Sequence, residues 1–211
     1  MEVLRFANYF AKSCHCSTSF DIVATMNIND KCSKYFTYID FIECSDTQKK
    51  VKVDNSPKEL ATYEAISYLA KTIMDPIVEQ FGQPQITYGL CSHNLQKHIK
   101  KSVAPGLDQH SGSEKNSKGN LICPRGGIAV DFKIKNIKTD HVARYIVEHL
   151  EFDRLYFYGS DRPLHVSAAA ETAKRAIVVF NISNRGRTPK TLTHQQFLDF
   201  IDVRMDLPSG E

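Results

Sequence analysis

Apolar residues along this chain recur in two rhythms. Behind Pro57 they fall at three- and four-residue steps, as Tyr63, Ile66, Leu69, Ala70, Ile73 and Ile77, which places one apolar stripe on the longest helix. Ser56 reads as its cap, Pro57 as its first residue and Glu59 as the partner in a capping box. Pro76 predicts a kink and Gly82 the end. Thr139 opens a second helix with Val142, Ala143, Ile146, Val147 and Leu150 on one face. Thr193 to Gln196 forms a second capping box, ahead of Phe197, Leu198 and Ile201. Shorter helices are expected over Tyr35–Ile42 and around Leu95–Lys101.

The second rhythm is that of strands, in Gln85–Leu90, Ile128–Ile134, Arg154–Tyr158, Leu164–Ala168 and Ala176–Asn181. Phe20–Met26 is a further β-branched run, with Asn27 to Asp30 as its turn. Ser111 to Arg125, rich in Ser, Gly, Asn and Lys, reads as a flexible loop. Helices first and then strands with short connections predict an α+β fold, an antiparallel sheet with packed helices. No internal repeat is present, and the expected organisation is an N-terminal extension over residues 1–34 and a single domain over 35–211.

With 211 residues, 42% hydrophobic and 24% charged, the chain has the composition of an ordinary globular domain. The formal charge of +3 gives no global case for nucleic acid, although a local basic patch keeps that partner open. Two such patches are in view: Arg185-Gly186-Arg187-Thr188-Pro189-Lys190, and the lysines 97, 100, 101, 115 and 118 with Arg125. No apolar stretch approaches the roughly 20 residues of a membrane span. Met1-Glu2-Val3-Leu4-Arg5 does not open a secretory signal. The six cysteines are too scattered for a disulfide framework, and the expectation is a reducing, cytoplasmic setting. Cys14-His15-Cys16 with Cys32 has metal-ligand chemistry, but the crowded spacing favours ordinary thiols.

Three pieces carry the candidate chemistry: Gly106-Leu107-Asp108-Gln109-His110, Gly127-Ile128-Ala129-Val130-Asp131 and Pro163-Leu164-His165-Val166-Ser167. Each places a His or an Asp on or beside a β-type run. His110, Asp131 and His165 can together hold one Zn²⁺ with a fourth position open, the arrangement of a catalytic rather than a structural zinc site. An Asp131 carboxylate inside a strand would be costly without a partner or a metal. His93, His98, His141 and His149, on or beside helices, read as ordinary histidines.

In order and flanks these pieces resemble the zinc D-Ala-D-Ala carboxypeptidases and their phage endolysin relatives, with the hedgehog/DD-peptidase fold. The resemblance spans about residues 35 to 168. It runs from Tyr35-Phe36-Thr37-Tyr38-Ile39-Asp40-Phe41 and Val53-Asp54-Asn55-Ser56-Pro57 through Met74-Asp75-Pro76-Ile77 and Phe81-Gly82. Ile86-Thr87-Tyr88-Gly89-Leu90-Cys91-Ser92 then stands where the family has I-T-S-G-Y-R-S, and Asp108-Gln109-His110 where it has S-Q-H. Gly127 to Asp131 matches G-x-A-x-D, and Leu164-His165-Val166-Ser167 the final histidine. The resemblance implies metal ligands His110, Asp131 and His165, a Zn²⁺ cofactor, and cleavage of a peptide or amide bond, with cell-wall peptide as the family substrate.

Three departures stand out. The polar segment Ser111 to Pro124 is inserted between the first two ligands, which loop entropy tolerates. The family's Glu, three residues before the last His, is Arg162 here, which cannot serve as a base; Asp161 is the expected replacement. The family's oxyanion-supporting Arg corresponds to Cys91, leaving Arg162 or Arg125 to supply positive charge. Asp161 and Arg162 are thus the expected catalytic residues, and Arg125, Cys91 and Gln109 the expected substrate-side residues. The alternative readings are a metal-binding domain of the same fold that acts on a nucleotide or nucleic acid, and a non-catalytic member.

Overall fold

The computed structural model describes residues 26–99, 105–170, 175–183 and 186–205. The strand expected over Phe20–Met26 and the Cys14-His15-Cys16 group lie outside them, apart from Met26 itself. Six strands form one sheet: β1 (Gln85–Tyr88), β2 (Ile128–Lys133), β3 (Arg154–Phe157), β4 (Leu164–Ala168), β5 (Ala176–Ser183) and β6 (Gly186–Leu192). Their order is β1-β2-β4-β3-β5-β6. The fold is α+β, but the sheet is mixed where an antiparallel one was expected. β3 and β4 form a hairpin, and the chain then passes back over β3 and pairs on its far side, so β5 runs parallel to β3. β6 occupies the segment read from sequence as a basic turn, and pairs with β5 over seven positions.

Alternation along the strands separates two faces. Ile128, Val130 and Phe132 of β2, Leu164 and Val166 of β4, Leu155 and Phe157 of β3 and Ile177 and Val179 of β5 are all buried in the core. Helices cover this face: α3 (Leu60–Leu69), α7 (Thr139–His149) and α8 (His194–Met205). The residues between them, among them Asp131, His165, Tyr156 and Phe180, point to the other face, as the period of two requires.

The long helix begins three residues later than its sequence suggests. Glu59 is the N-cap, without a side-chain bond. The free backbone donors are met from a distance: the Glu114 carboxylate accepts from the N–H groups of Lys58 and Glu59 and from the Thr62 hydroxyl. Pro76 is absorbed by a π-helical turn, Ala70–Met74, leading into α4 (Asp75–Phe81); a wider turn removes the need for the donor that proline lacks. The capping box at Thr193 and Gln196 is reciprocal, at 3.0 and 3.3 Å.

The segment 111–124 is anchored at its ends, where Ser111, Glu114 and Cys123 are buried and Glu114 is committed to the helix start, while Lys115 and residues 117–121 are exposed. The described residues just before position 35 pack against the domain. Cys32 belongs to the core, and Ser33, Lys34 and Tyr35 all donate to the Asp75 carboxylate.

Candidate metal centre

Asp131 and His165 face each other directly across β2 and β4, so their side chains leave the sheet on one face. A bulge in β1 sets Thr87 and Tyr88 against Asp131, and such an extra residue re-aims a side chain. The Tyr88 ring consequently meets the His110 ring edge-on at 4.6 Å. On the other side Tyr156, paired with His165 in register, stacks flat on its imidazole at 4.5 Å.

His110 arrives from outside the sheet, just after α6 (Pro105–Asp108). Its carbonyl accepts from Cys91 N–H, and the Ser111 hydroxyl donates to the Cys91 carbonyl, so two chain segments are zipped together. Its Nδ1 lies 2.9 Å from the Gly89 carbonyl; a carbonyl only accepts, so Nδ1 carries the proton and Nε2 is left with its lone pair. Gly89 is required there, since a Cβ would stand 2.2 Å from the Phe41 carbonyl oxygen.

His110 Nε2 is 3.4 Å from Asp131 Oδ1, and His165 Nδ1 is 2.8 Å from the same oxygen. One ligand atom from each residue lies within 4.8 Å of the others. Two atoms bound to zinc at about 2.0–2.1 Å with tetrahedral angles lie about 3.3–3.4 Å apart; the His110–Asp131 separation matches this, while His165 and Asp131 stand at hydrogen-bond distance. The donor set also fits: two imidazoles and a carboxylate suit zinc. His165 Nε2 is buried and has no hydrogen-bond partner among the described residues, so the protein alone does not satisfy the ring. The carboxylate keeps 25% of its side-chain surface exposed, whereas the two histidines keep 2% and 1%. The cluster can hold a metal ion, with its opening on the Asp131 side.

The charges are coupled. Burial alone would raise the Asp131 carboxyl, but the His110 imidazole, and then that of His165, hold it well below the usual carboxylate range. Burial works against a charged His110, yet the attraction of Asp131 outweighs it and raises the imidazole. A metal ion competes with these protons for the same lone pairs.

The other expected site residues are placed differently. Gln109 is fully buried and stands at φ +64°, a backbone conformation side chains seldom adopt. Its amide nitrogen donates to the Gly126 carbonyl and to Asp153, and its oxygen accepts from Ser167. It braces the loop that presents His110 and has no surface for substrate. Cys91 is buried beneath the same loop, and burial pushes its thiol up to about 11. A neutral thiol there cannot stand in for an arginine. Arg125 donates to the Leu107 carbonyl and lines a cavity of about 450 Å³ with Tyr68, Ser113 and Ala169; no member of the cluster lines that cavity.

Asp161 and Arg162 lie in the turn between β3 and β4, both exposed. Asp161 pairs with Lys138 at 2.9 Å and is 78% exposed, and that hydrogen bond lowers its carboxyl below the usual range. It is not a member of the ligand cluster, and a lowered carboxyl is a weaker base. Tyr88, Tyr156 and the Gly89 carbonyl went unread in the sequence. All three lie in segments expected as strands, Gln85–Leu90 and Arg154–Tyr158, but nothing local marks them as partners of the histidines.

No protein-family model, curated protein or solved structure matches the chain.

Proposed function

We propose that this chain is a zinc-dependent hydrolase that cleaves a peptide or amide bond. The observation that carries the reading is the convergence of His110, Asp131 and His165, from three separate segments, with the Gly89 carbonyl fixing which His110 nitrogen faces the cluster. Outer partners of this kind orient a metal-binding histidine. Bound zinc supplies Lewis acidity, polarising a carbonyl and making water acidic enough to ionise near neutral pH.

The chain's own residues supply the rest. Tyr156 and Tyr88 wall the two imidazoles and exclude water from their flanks. The exposed edge of Asp131 leaves the approach for substrate. The resemblance to DD-peptidases offers cell-wall peptide as one candidate substrate. No helix among the described residues is long and apolar enough to cross a membrane.

The test is metal content by elemental mass spectrometry, followed by hydrolysis of a peptide panel that includes D-Ala-D-Ala termini. About one zinc per chain is expected, lost in His110→Ala and His165→Ala, with hydrolysis in the loaded protein only. A wild-type protein that takes up no divalent metal would overturn the reading. A loaded protein that cleaves no peptide or amide would remove the bond assignment and leave the metal site.

A further inference from the structure

One arginine on the metal-bearing face of the sheet stands apart from the others. Along β3 the side chains of Leu155 and Phe157 enter the core, so Arg154 and Tyr156 leave the sheet on the side of His165. Tyr156 is in register with His165 and stacks on its ring, while Arg154 is in register with Ser167, two residues further along β4. Arg154 is therefore the diagonal neighbour of His165, a separation of about 7–8 Å that a long side chain spans. Its neighbours in the same row are small, Ser167 on β4 and Ala176 on β5.

Three arginines among the described residues are half-buried. Arg125 donates to the Leu107 carbonyl, and Arg144 pairs with Glu148 and Asp202. Arg154 has no ion pair and no side-chain hydrogen bond among the described residues, and its Nε is shut off from solvent as well. Such a donor has lost its water without gaining an acceptor, and the guanidinium cannot shed its charge. The carboxylates of this region are engaged, Asp131 by the histidines and Asp153 by Gln109. Zinc held by two neutral imidazoles and one carboxylate would keep one positive charge. A guanidinium beside it is repelled unless an anion lies between them.

We infer that Arg154 is the specificity-determining residue of this centre and takes a carboxylate of the substrate on the β3 side of His165. The guanidinium fork matches the two oxygens of a carboxylate. One anion there gives the buried Nε its acceptor and offsets both positive charges. The inference rests on the metal reading above and narrows its substrate class. The substrates are peptides or amides with a free carboxyl group beside the cleaved bond, at a chain end or on an acidic side chain.

The test is calorimetric binding of the mono-hydroxamates of malonic, succinic and glutaric acid to zinc-loaded protein, each compared with its neutral amide. Zinc uptake is measured first, and a protein without it would end this inference together with the metal reading. In the loaded wild type at least one acid should bind about tenfold or more tightly than its amide. A preference for the short spacers marks a chain-end carboxyl, and one for the long spacer an acidic side chain. Arg154→Gln should take up zinc and bind acid and amide alike, and Arg154→Lys should keep part of the preference. Should Arg154→Gln fail to fold by circular dichroism, the Arg154 Nε–H resonance of the wild type decides, by shifting with the acid and not with the amide. With zinc bound, equal affinity for acid and amide, or an unmoved resonance, would overturn the assignment. So would a preference that survives in Arg154→Gln, since the charge of the metal would then account for it.

Discussion

Two polar networks are buried side by side under the loop that carries His110, and they differ in one respect. In the first, Gln109, Asp153 and Ser167 close on one another and on the backbone: the glutamine uses both ends of its amide, and the serine donates to Gln109 while accepting from the Arg154 N–H. In the second, His110, Asp131 and His165 converge, but one imidazole nitrogen has no partner and the carboxylate is open to solvent. A satisfied network specifies a structure; one with a buried orphan calls for an explanation, and the proposed metal ion is the one put to the test. The closed network fixes the loop, and the open one uses it.

The hardest test of that contrast removes a ligand. His165→Ala should cost more than about 100-fold in zinc affinity, beyond the roughly 10–100-fold typical of outer partners, by competition with a chromophoric chelator. The apo variant should lose stability as well, because the ring is buried, stacks on Tyr156 and bonds to Asp131; the loss of metal is the larger effect. A large drop in apo stability with metal affinity retained would make the open network structural after all.

Gln109→Ala strikes the closed network and should behave the other way round. It strips partners from Ser167 and Asp153, and buried polar groups left unmet cost about 1–3 kcal/mol. Zinc affinity should fall too, by about 10–100-fold, since the brace on His110 is an outer-shell element. Denaturant titration of apo protein beside zinc titration separates the two effects. Unchanged stability would show that the network is not closed.

Chelation should have a smaller, reversible effect. Zinc at 100 times its dissociation constant would stabilise the fold by about 2.7 kcal/mol. The wild type should therefore melt lower after chelator treatment and recover on adding zinc, while His165→Ala shows no difference. Equal melting of treated and untreated wild type, with zinc shown to be bound in the untreated sample, would mean that the metal does not couple to folding.

How far the sequence announced these networks follows from the range of the forces involved. His110, Asp131 and His165 were legible because each sits in a short local pattern of strand and turn. The strands were legible as alternation, but their pairing and the direction of β5 were not, since these depend on which side of the β3–β4 hairpin the chain returns to. β6 was hidden because Arg185 to Lys190 contains glycine, proline and charge, which an edge strand tolerates and a central one does not. Glu114, Asp153 and Gln109 act across 52, 44 and 58 residues of sequence, and no local pattern foretells such partners. Asp161 was judged by its distance from His165 along the chain, but the turn gives it to Lys138 instead.

The smallest effect concerns Glu114, a carboxylate that is 2% exposed at the start of α3. Burial raises its carboxyl, and the donors from Thr62, Lys58 and Glu59 only partly offset this. With the folded value above the unfolded one, the folded protein holds the proton more tightly. Its contribution is therefore full below the unfolded value of about 4.5 and is lost as pH rises through the folded one. Glu114→Gln cannot titrate, so the wild type should gain stability relative to the variant as pH falls from neutral toward that value. Urea midpoints of the pair at both ends of the range measure it. A difference that stays flat, or that shrinks toward acid, would mean the three donors win and the carboxylate caps the helix as an anion throughout.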